Sequence, residues 1–145
     1  MTATPLDIRY TDSALARPAG SRALWAGRII STLVVLFLTF DVGIKLLRAP
    51  VAIDSTVQLG YPANTVLAIG LIELVCLVLY LVPRTAVIGA LLWTGYLGGA
   101  IATHVRLENP LFSHVLFPVY VAAMLWGGLW LRDARVRGLL GLRRP

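Results

Sequence analysis

Four apolar segments fill most of this 145-residue chain, and their lengths constrain its fold more than any other feature. A helix that crosses a bilayer needs about 20 apolar residues, because each residue adds 1.5 Å along the axis. Hydrophobic residues make up 58% of the chain and charged residues only 14%, which argues against a soluble enzyme. We expect an all-α integral membrane domain over residues 23–131, an antiparallel four-helix bundle with spans at about 24–47, 64–82, 85–103 and 111–131.

The basic residues indicate how this bundle is oriented. Residues 1–22 form a polar tail and residues 132–145 a basic tail, and an even number of spans puts both tails on one side. That side, with Arg84 in the turn between the second and third spans, carries ten of the 13 Lys and Arg residues. Such residues are enriched in cytoplasmic segments. The sequence therefore predicts a multi-pass protein of a bacterial-type inner membrane with both termini in the cytoplasm.

Five ionisable side chains lie within or at the ends of the spans, where insertion of a charge costs on the order of 2.5–3.5 kcal/mol. In the predicted orientation all five fall in the outer half of the bundle: Asp41, Lys45, Glu73, His104 and His114. We interpret this convergence as a candidate ligand-binding site.

Each of these residues also has a structural interpretation. Asp41 and Lys45 are four residues apart, so they can pair on one helical face. Glu73 lies near the middle of the second span, where it must be protonated, paired or in contact with a wet cavity. His104 and His114 can be polar residues at the membrane interface. The spacing of histidines and carboxylates matches no metal motif, so we predict no metal site, and haem has less support still.

Two features of the later spans bear on packing. Pro118 lies inside the fourth span and should kink it, which frees the carbonyl group of His114 for another donor. The third span carries a face of small residues, on which we expect another helix of the bundle, or else a second copy of the chain, to pack: Gly95, Gly98, Gly99 and Ala102.

The most specific pattern is the glycine-rich third span, TGYLGGAIATH over residues 94–104, which ends in a histidine. It occurs with an Asn-Pro-Leu connector at residues 109–111, Pro118, an early Asp-x-x-x-Lys and a mid-helix glutamate. Together these features resemble the DoxX-like family over about residues 24–133. The resemblance implies a small four-span membrane protein. Because the family is named after a membrane subunit of a thiosulfate:quinone oxidoreductase, it also implies a quinone as a candidate cofactor.

We consider three functions. The first is a module that binds a small lipophile or a quinone, as an accessory subunit of a membrane redox partner. Glu73, His104 and His114 would then bind the polar end of the ligand. Three aromatic residues would line its apolar part: Trp93, Tyr96 and Phe117. The second is a structural or assembly subunit, alone or as a homo-oligomer, and the third a proton-coupled transporter. The sequence has no recognisable catalytic motif and no basic stripe for nucleic acid, which favours a protein that is not a stand-alone enzyme.

Overall fold

A computed structural model of the chain describes residues 20–139, and all regular structure within them is helical, as the sequence predicts. We number the α-helices in chain order: α1 (Ser21–Leu46), α2 (Pro50–Gln58), α3 (Thr65–Leu81), α4 (Ala86–Arg106), α5 (Phe117–Arg132) and α6 (Ala134–Leu139). A π-helical turn, Leu111–Val115, precedes α5. Most of the predicted tail over residues 1–22, and the end of the basic tail over 132–145, lie outside the described residues.

Three helical segments in the described residues are long and apolar enough to cross a membrane. They are α1, α4 and the continuous stretch Leu111–Arg132, which joins the π-helical turn to α5. α3 is equally apolar but has only 17 residues. The chain is therefore a membrane protein with at least three helices of spanning length in this part of the sequence.

The helices pack around one apolar core. α1 packs along α5 and α3, and α4 packs against α3 and α5. Leu38 of α1, Trp93 of α4 and Leu125 of α5 are almost completely buried there. Many large apolar side chains on the outer faces are exposed, among them Leu36 and Phe40 of α1. Such a surface is suited to lipid, because the hydrocarbon chains of lipid solvate it as well as a protein core does.

Glycines allow the closest helix contacts. A Cβ atom added at Gly128 of α5 would lie 2.5 Å from the Oγ atom of Ser31 on α1. One added at Gly89 of α4 would overlap the backbone of Tyr80 on α3. Tyr80 also donates a hydrogen bond of 2.9 Å to the carbonyl oxygen of Leu125, which ties α3 to α5. Small residues thus bring helix backbones together at positions other than the predicted small-residue face.

The sequence pattern did not predict α2. Residues 48–63, between the first two predicted spans, have the composition of a polar connector. Pro50 is in the first turn of this helix, where the missing N–H group costs no hydrogen bond. Ala52 and Thr56 are buried, and α2 contacts both α1 and α3. The connector therefore folds back over the end of the bundle.

The helix before Pro118 is interrupted rather than simply bent. The N–H group of Leu116 bonds to the carbonyl oxygen of Leu111, five residues back, which closes the π-helical turn. α5 then starts at Phe117, so Pro118 occupies its first turn. The predicted distortion near Pro118 is present, and the chain accommodates it with a change of helix type.

Candidate functional site

A lysine joins two carboxylates from different helices at the end of the bundle where α1 ends. Asp41 and Lys45 lie one turn apart on α1, and the Nζ atom of Lys45 donates a hydrogen bond of 2.6 Å to Oδ2 of Asp41. The same Nζ atom donates to Oε1 of Glu73 on α3. The Glu73 side chain is completely buried, whereas those of Lys45 and Asp41 are 16% and 30% exposed. We call these three residues the lysine cluster.

The close approach of α1 to α3 makes this pairing possible. Gly70 precedes Glu73 by about one helical turn, and a Cβ atom at this position would lie 2.9 Å from the Cβ atom of Lys45. The stem of Lys45 therefore lies directly on the backbone of α3, and its ammonium group reaches Glu73 further along the helix. A larger residue at position 70 would push the two helices apart and separate the two charges.

The lysine cluster has more acidic than basic groups. It holds one ammonium group and two carboxylates, and Oε2 of Glu73 is buried with no hydrogen-bond partner among the described residues. The ring of Tyr96 on α4 stands over the cluster, with its centroid 5.9 Å from Nζ of Lys45. A buried carboxylate is stable only with a cation, a proton or hydrogen-bond donors, and Lys45 supplies the cation in this arrangement.

A partly open cavity of about 460 Å³ lies beside the cluster and is bordered by α1, α2, α3 and α4. Asp41 and Lys45 line it from α1, Tyr96 and His104 from α4. The remaining lining residues are mostly apolar or small: Ile44, Ala52, Ser55, Thr56, Leu59, Tyr61, Ile69, Gly95, Gly99, Ala100 and Thr103. The structure thus combines an apolar chamber with charged groups at one wall.

A second polar group lies on the α4 wall of the cavity. The hydroxyl group of Thr103 donates its hydrogen to the carbonyl oxygen of Gly99 at 3.0 Å. In the 2.8 Å hydrogen bond between the hydroxyl groups of Tyr61 and Thr103 either oxygen can be the donor, and the contact of Thr103 with Gly99 favours the Tyr61 hydroxyl, because a hydroxyl group has one hydrogen. This leaves the Tyr61 oxygen as an acceptor at the cavity.

The two histidines meet, but only one reaches the cavity. Their rings are packed edge to face with centroids 5.6 Å apart. His104 lines the cavity, and its Nδ1 atom is 2.9 Å from the amide nitrogen of Asn109. His114 is exposed on the π-helical turn and bonds to Ser113, outside the cavity lining. In the described part of the chain, no three His, Cys, Asp or Glu residues are close enough to bind a metal ion together.

Of the three aromatic residues predicted to line the site, only one lines the cavity. Tyr96 lines the cavity, and Trp93 packs behind it, fully buried and edge to face with Tyr96 at 5.5 Å. Phe117 is exposed and contacts Phe37 of α1 at 5.6 Å between ring centroids, away from the cavity lining. Of the eight predicted site residues, the structure places four at the cavity wall, and Glu73 and Trp93 directly behind members of that wall.

The predicted small-residue face borders this cavity. Gly95 and Gly99 line it, and a Cβ atom added at either glycine or at Gly98 would meet no atom of the described chain within 4 Å. Ala102 is exposed. No helix of residues 20–139 therefore packs closely on these glycines, and contact with a second copy of the chain stays a prediction.

Sequence reasoning missed the residues that α2 and its following turn contribute. Thr56 and Tyr61 line the cavity only because residues 50–58 form a helix over it. The available signal was Pro50 at a helix start, followed by eight residues without glycine or a second proline.

Comparison with known families agrees with this architecture. The sequence model of the DoxX-like family matches residues 29–128. The chain belongs to the DoxX-like family. No curated protein and no solved structure matches the chain. The matched region of this DoxX-like protein includes the whole lysine cluster and every residue that lines the cavity.

Replacing Lys45 alone should destabilise this DoxX-like protein more than replacing Lys45 and Glu73 together. We expect Lys45→Met to lower the free energy of unfolding by about 3–5 kcal/mol, because Glu73 would remain buried without a cation. The double variant Lys45→Met/Glu73→Gln should recover at least about 1 kcal/mol of that loss. Unfolding in mixed micelles, followed by circular dichroism, measures all four members of the cycle.

The control for this cycle is Asp54→Asn, because Asp54 is exposed on α2 and forms no ion pair with described residues. It should change stability by less than about 0.5 kcal/mol. Additive effects of the Lys45 and Glu73 substitutions would show that the two side chains do not interact.

Proposed function

We propose that this DoxX-like protein is a membrane module that binds a small lipophilic molecule in the cavity between α1, α2, α3 and α4. The observation that carries the proposal is a chamber of about 460 Å³ with the charged lysine cluster at one wall. Ligand sites commonly have volumes of about 300–1,000 Å³, apolar walls and a few convergent polar groups. This cavity has all three properties.

The wall composition supports a ligand with one polar end and one apolar body. Ile44, Leu59 and Ile69 supply apolar surface from three elements of the chain. Asp41 and Tyr61 offer acceptors, and His104 lies at the far end of the α4 wall. A quinone or hydroquinone ring with a short isoprenoid tail has these properties, and the module would then serve a membrane redox partner as an accessory subunit.

The same proposal includes four spans, with α3 as the second and both termini in the cytoplasm of a bacterial-type cell. α3 is apolar apart from Glu73 and packs between α1 and α4, so we place it at the same depth as these helices. Its 17 residues are about 26 Å long, close to the hydrocarbon thickness. In this orientation the lysine cluster and the cavity lie near the outer face.

A structural role is the second candidate, and one observation favours it. Two of the three N–H groups of Lys45 are already bonded to carboxylates of the same chain. A cluster whose members bind one another in this way can hold α1 and α3 in register without any ligand. If the protein binds a ligand, occupation of the cavity should change its stability. If its role is structural, it should bind no ligand there.

Topology can be tested with single cysteines introduced for labelling from outside intact cells. A cysteine at Glu108, between α4 and the π-helical turn, should react with a membrane-impermeant maleimide. One at Arg84, between α3 and α4, should react only after the membrane is opened, because basic turns remain in the cytoplasm. The Cys76→Ala background removes the single native thiol, which is buried. Labelling of the Arg84 site from outside, or labelling of both sites, would contradict the four-span topology with cytoplasmic termini.

Filling the cavity tests the proposed function directly. Gly99→Leu places a side chain inside the cavity, where an added Cβ atom meets nothing within 4 Å, so the fold should be retained. Decylubiquinol should raise the melting temperature of the wild type, and Gly99→Leu should weaken its binding by about tenfold or more through steric overlap.

Gly98→Leu is the matched control. It is the neighbouring residue, is equally open and does not line the cavity, so it should bind decylubiquinol like the wild type. Equal binding by Gly98→Leu and Gly99→Leu, or none by the wild type, would favour the structural role.

A further inference from the structure

We propose that the cavity selects lipophilic molecules whose head group donates a hydrogen bond. Amines should bind more tightly than alcohols or hydroquinones, and these more tightly than carboxylic acids. The inference rests on the proposed function and adds the chemical class of the ligand. Three observations at the cavity carry it: the charge of the lysine cluster, the free acceptor on Asp41 and the direction of the Tyr61 hydrogen bond.

The charge of the cluster disfavours an anion. Lys45 is the only lysine of the sequence, and two carboxylates already bind its ammonium group. The cluster is therefore neutral if one carboxylate holds a proton, and carries one net negative charge if neither does. Arg106 does not line the cavity, and its Nη2 atom is bonded to the carbonyl oxygen of Leu59. Among the described residues, Lys45 is thus the one lysine or arginine that lines the cavity, and both carboxylates already bind it.

Asp41 supplies an acceptor at the surface of the cavity. Its Oδ2 atom accepts the hydrogen bond from Lys45, whereas Oδ1 accepts none from the described residues. The side chain lines the cavity and is 30% exposed, so Oδ1 is accessible to a ligand. A donor that reaches it would form a charge-assisted hydrogen bond, and a protonated amine would add an opposite charge.

The α4 wall offers a second acceptor. Thr103 uses its only hydrogen on Gly99, and Tyr61 uses its own on Thr103. The Tyr61 oxygen can therefore accept a hydrogen bond and cannot donate a second one. The side chains of Tyr61 and Tyr96 also line the cavity, and aromatic rings attract ammonium groups. Besides the cluster, the titratable side chains that line the cavity are Tyr61, Tyr96 and His104.

Three probes that share one tail test the selectivity: octylamine, octanol and octanoate. Each is titrated at pH 7 into the full-length protein in phosphatidylcholine nanodiscs, and binding is measured by isothermal titration calorimetry. The same titrations of Gly99→Leu, whose cavity is filled, account for partition into the lipid. We expect octylamine to bind at least about tenfold more tightly than octanoate, with octanol between them.

Asp41 variants assign the selectivity to its carboxylate. Asp41→Asn should reduce the preference for octylamine over octanoate to within about twofold, and Asp41→Glu should keep it because the charge remains. Octanoate binding as tightly as octylamine to the wild type would overturn the inference and leave lipophile binding intact. So would a preference that survives in Asp41→Asn. If no probe distinguishes the wild type from Gly99→Leu, the proposed function fails as well.

Discussion

The ammonium group of Lys45 holds this bundle end together. It bonds to Asp41 on its own helix and to the buried Glu73 on α3, so one cation links α1 to α3 within the apolar part of the chain. Glu73 would otherwise be a carboxylate in a fully buried position, which is among the least stable arrangements in a protein. Gly70 makes the link possible, because its missing side chain lets the Lys45 stem lie against α3.

This linkage explains why a cavity can persist beside it. The cluster fixes α1 and α3 on one side, and α2 folds back over the end of the bundle and buries Ala52 and Thr56. On the α4 side, Gly95 and Gly99 leave room that larger residues would fill. The polar groups thus fix α1 against α3, and the small residues of α4 leave the space beside them open. The DoxX-like protein therefore has a cavity at a position that side chains would fill in a purely apolar bundle of this size.

Much of this arrangement could be predicted from the sequence. The lengths of the apolar segments indicate the all-α architecture, and their alternating directions bring Asp41, Lys45 and Glu73 to the same end. The i, i+4 spacing predicts the Asp41–Lys45 pair. The link to Glu73 could not be derived, because it depends on the rotation of α3 about its axis relative to α1. That rotation is set by contacts such as the one at Gly70.

Other features escaped the pattern for equally physical reasons. α2 is short and mixed in polarity, so its hydrophobic periodicity is weak. The sequence pattern therefore predicted neither this helix nor the cavity-lining residues that it contributes. The π-helical turn shifts the angular phase of the residues before α5. His114 on this turn and Phe117 at the start of α5 lie outside the cavity lining. The cavity itself is a space between helices. It depends on how the helices pack, which a local sequence pattern does not predict.

Solid-state NMR in lipid bilayers tests the lysine bridge most directly. Because Lys45 is the only lysine, ¹⁵N-lysine labelling gives a single ammonium signal, and ¹³C labelling of aspartate and glutamate provides the carboxyl signals. The Lys45 Nζ signal should show strong dipolar coupling to the carboxyl carbons of both Asp41 and Glu73, and the Glu73→Gln variant should assign the second coupling. A coupling to Asp41 alone would contradict the bridge between α1 and α3, and with it this explanation of the cavity.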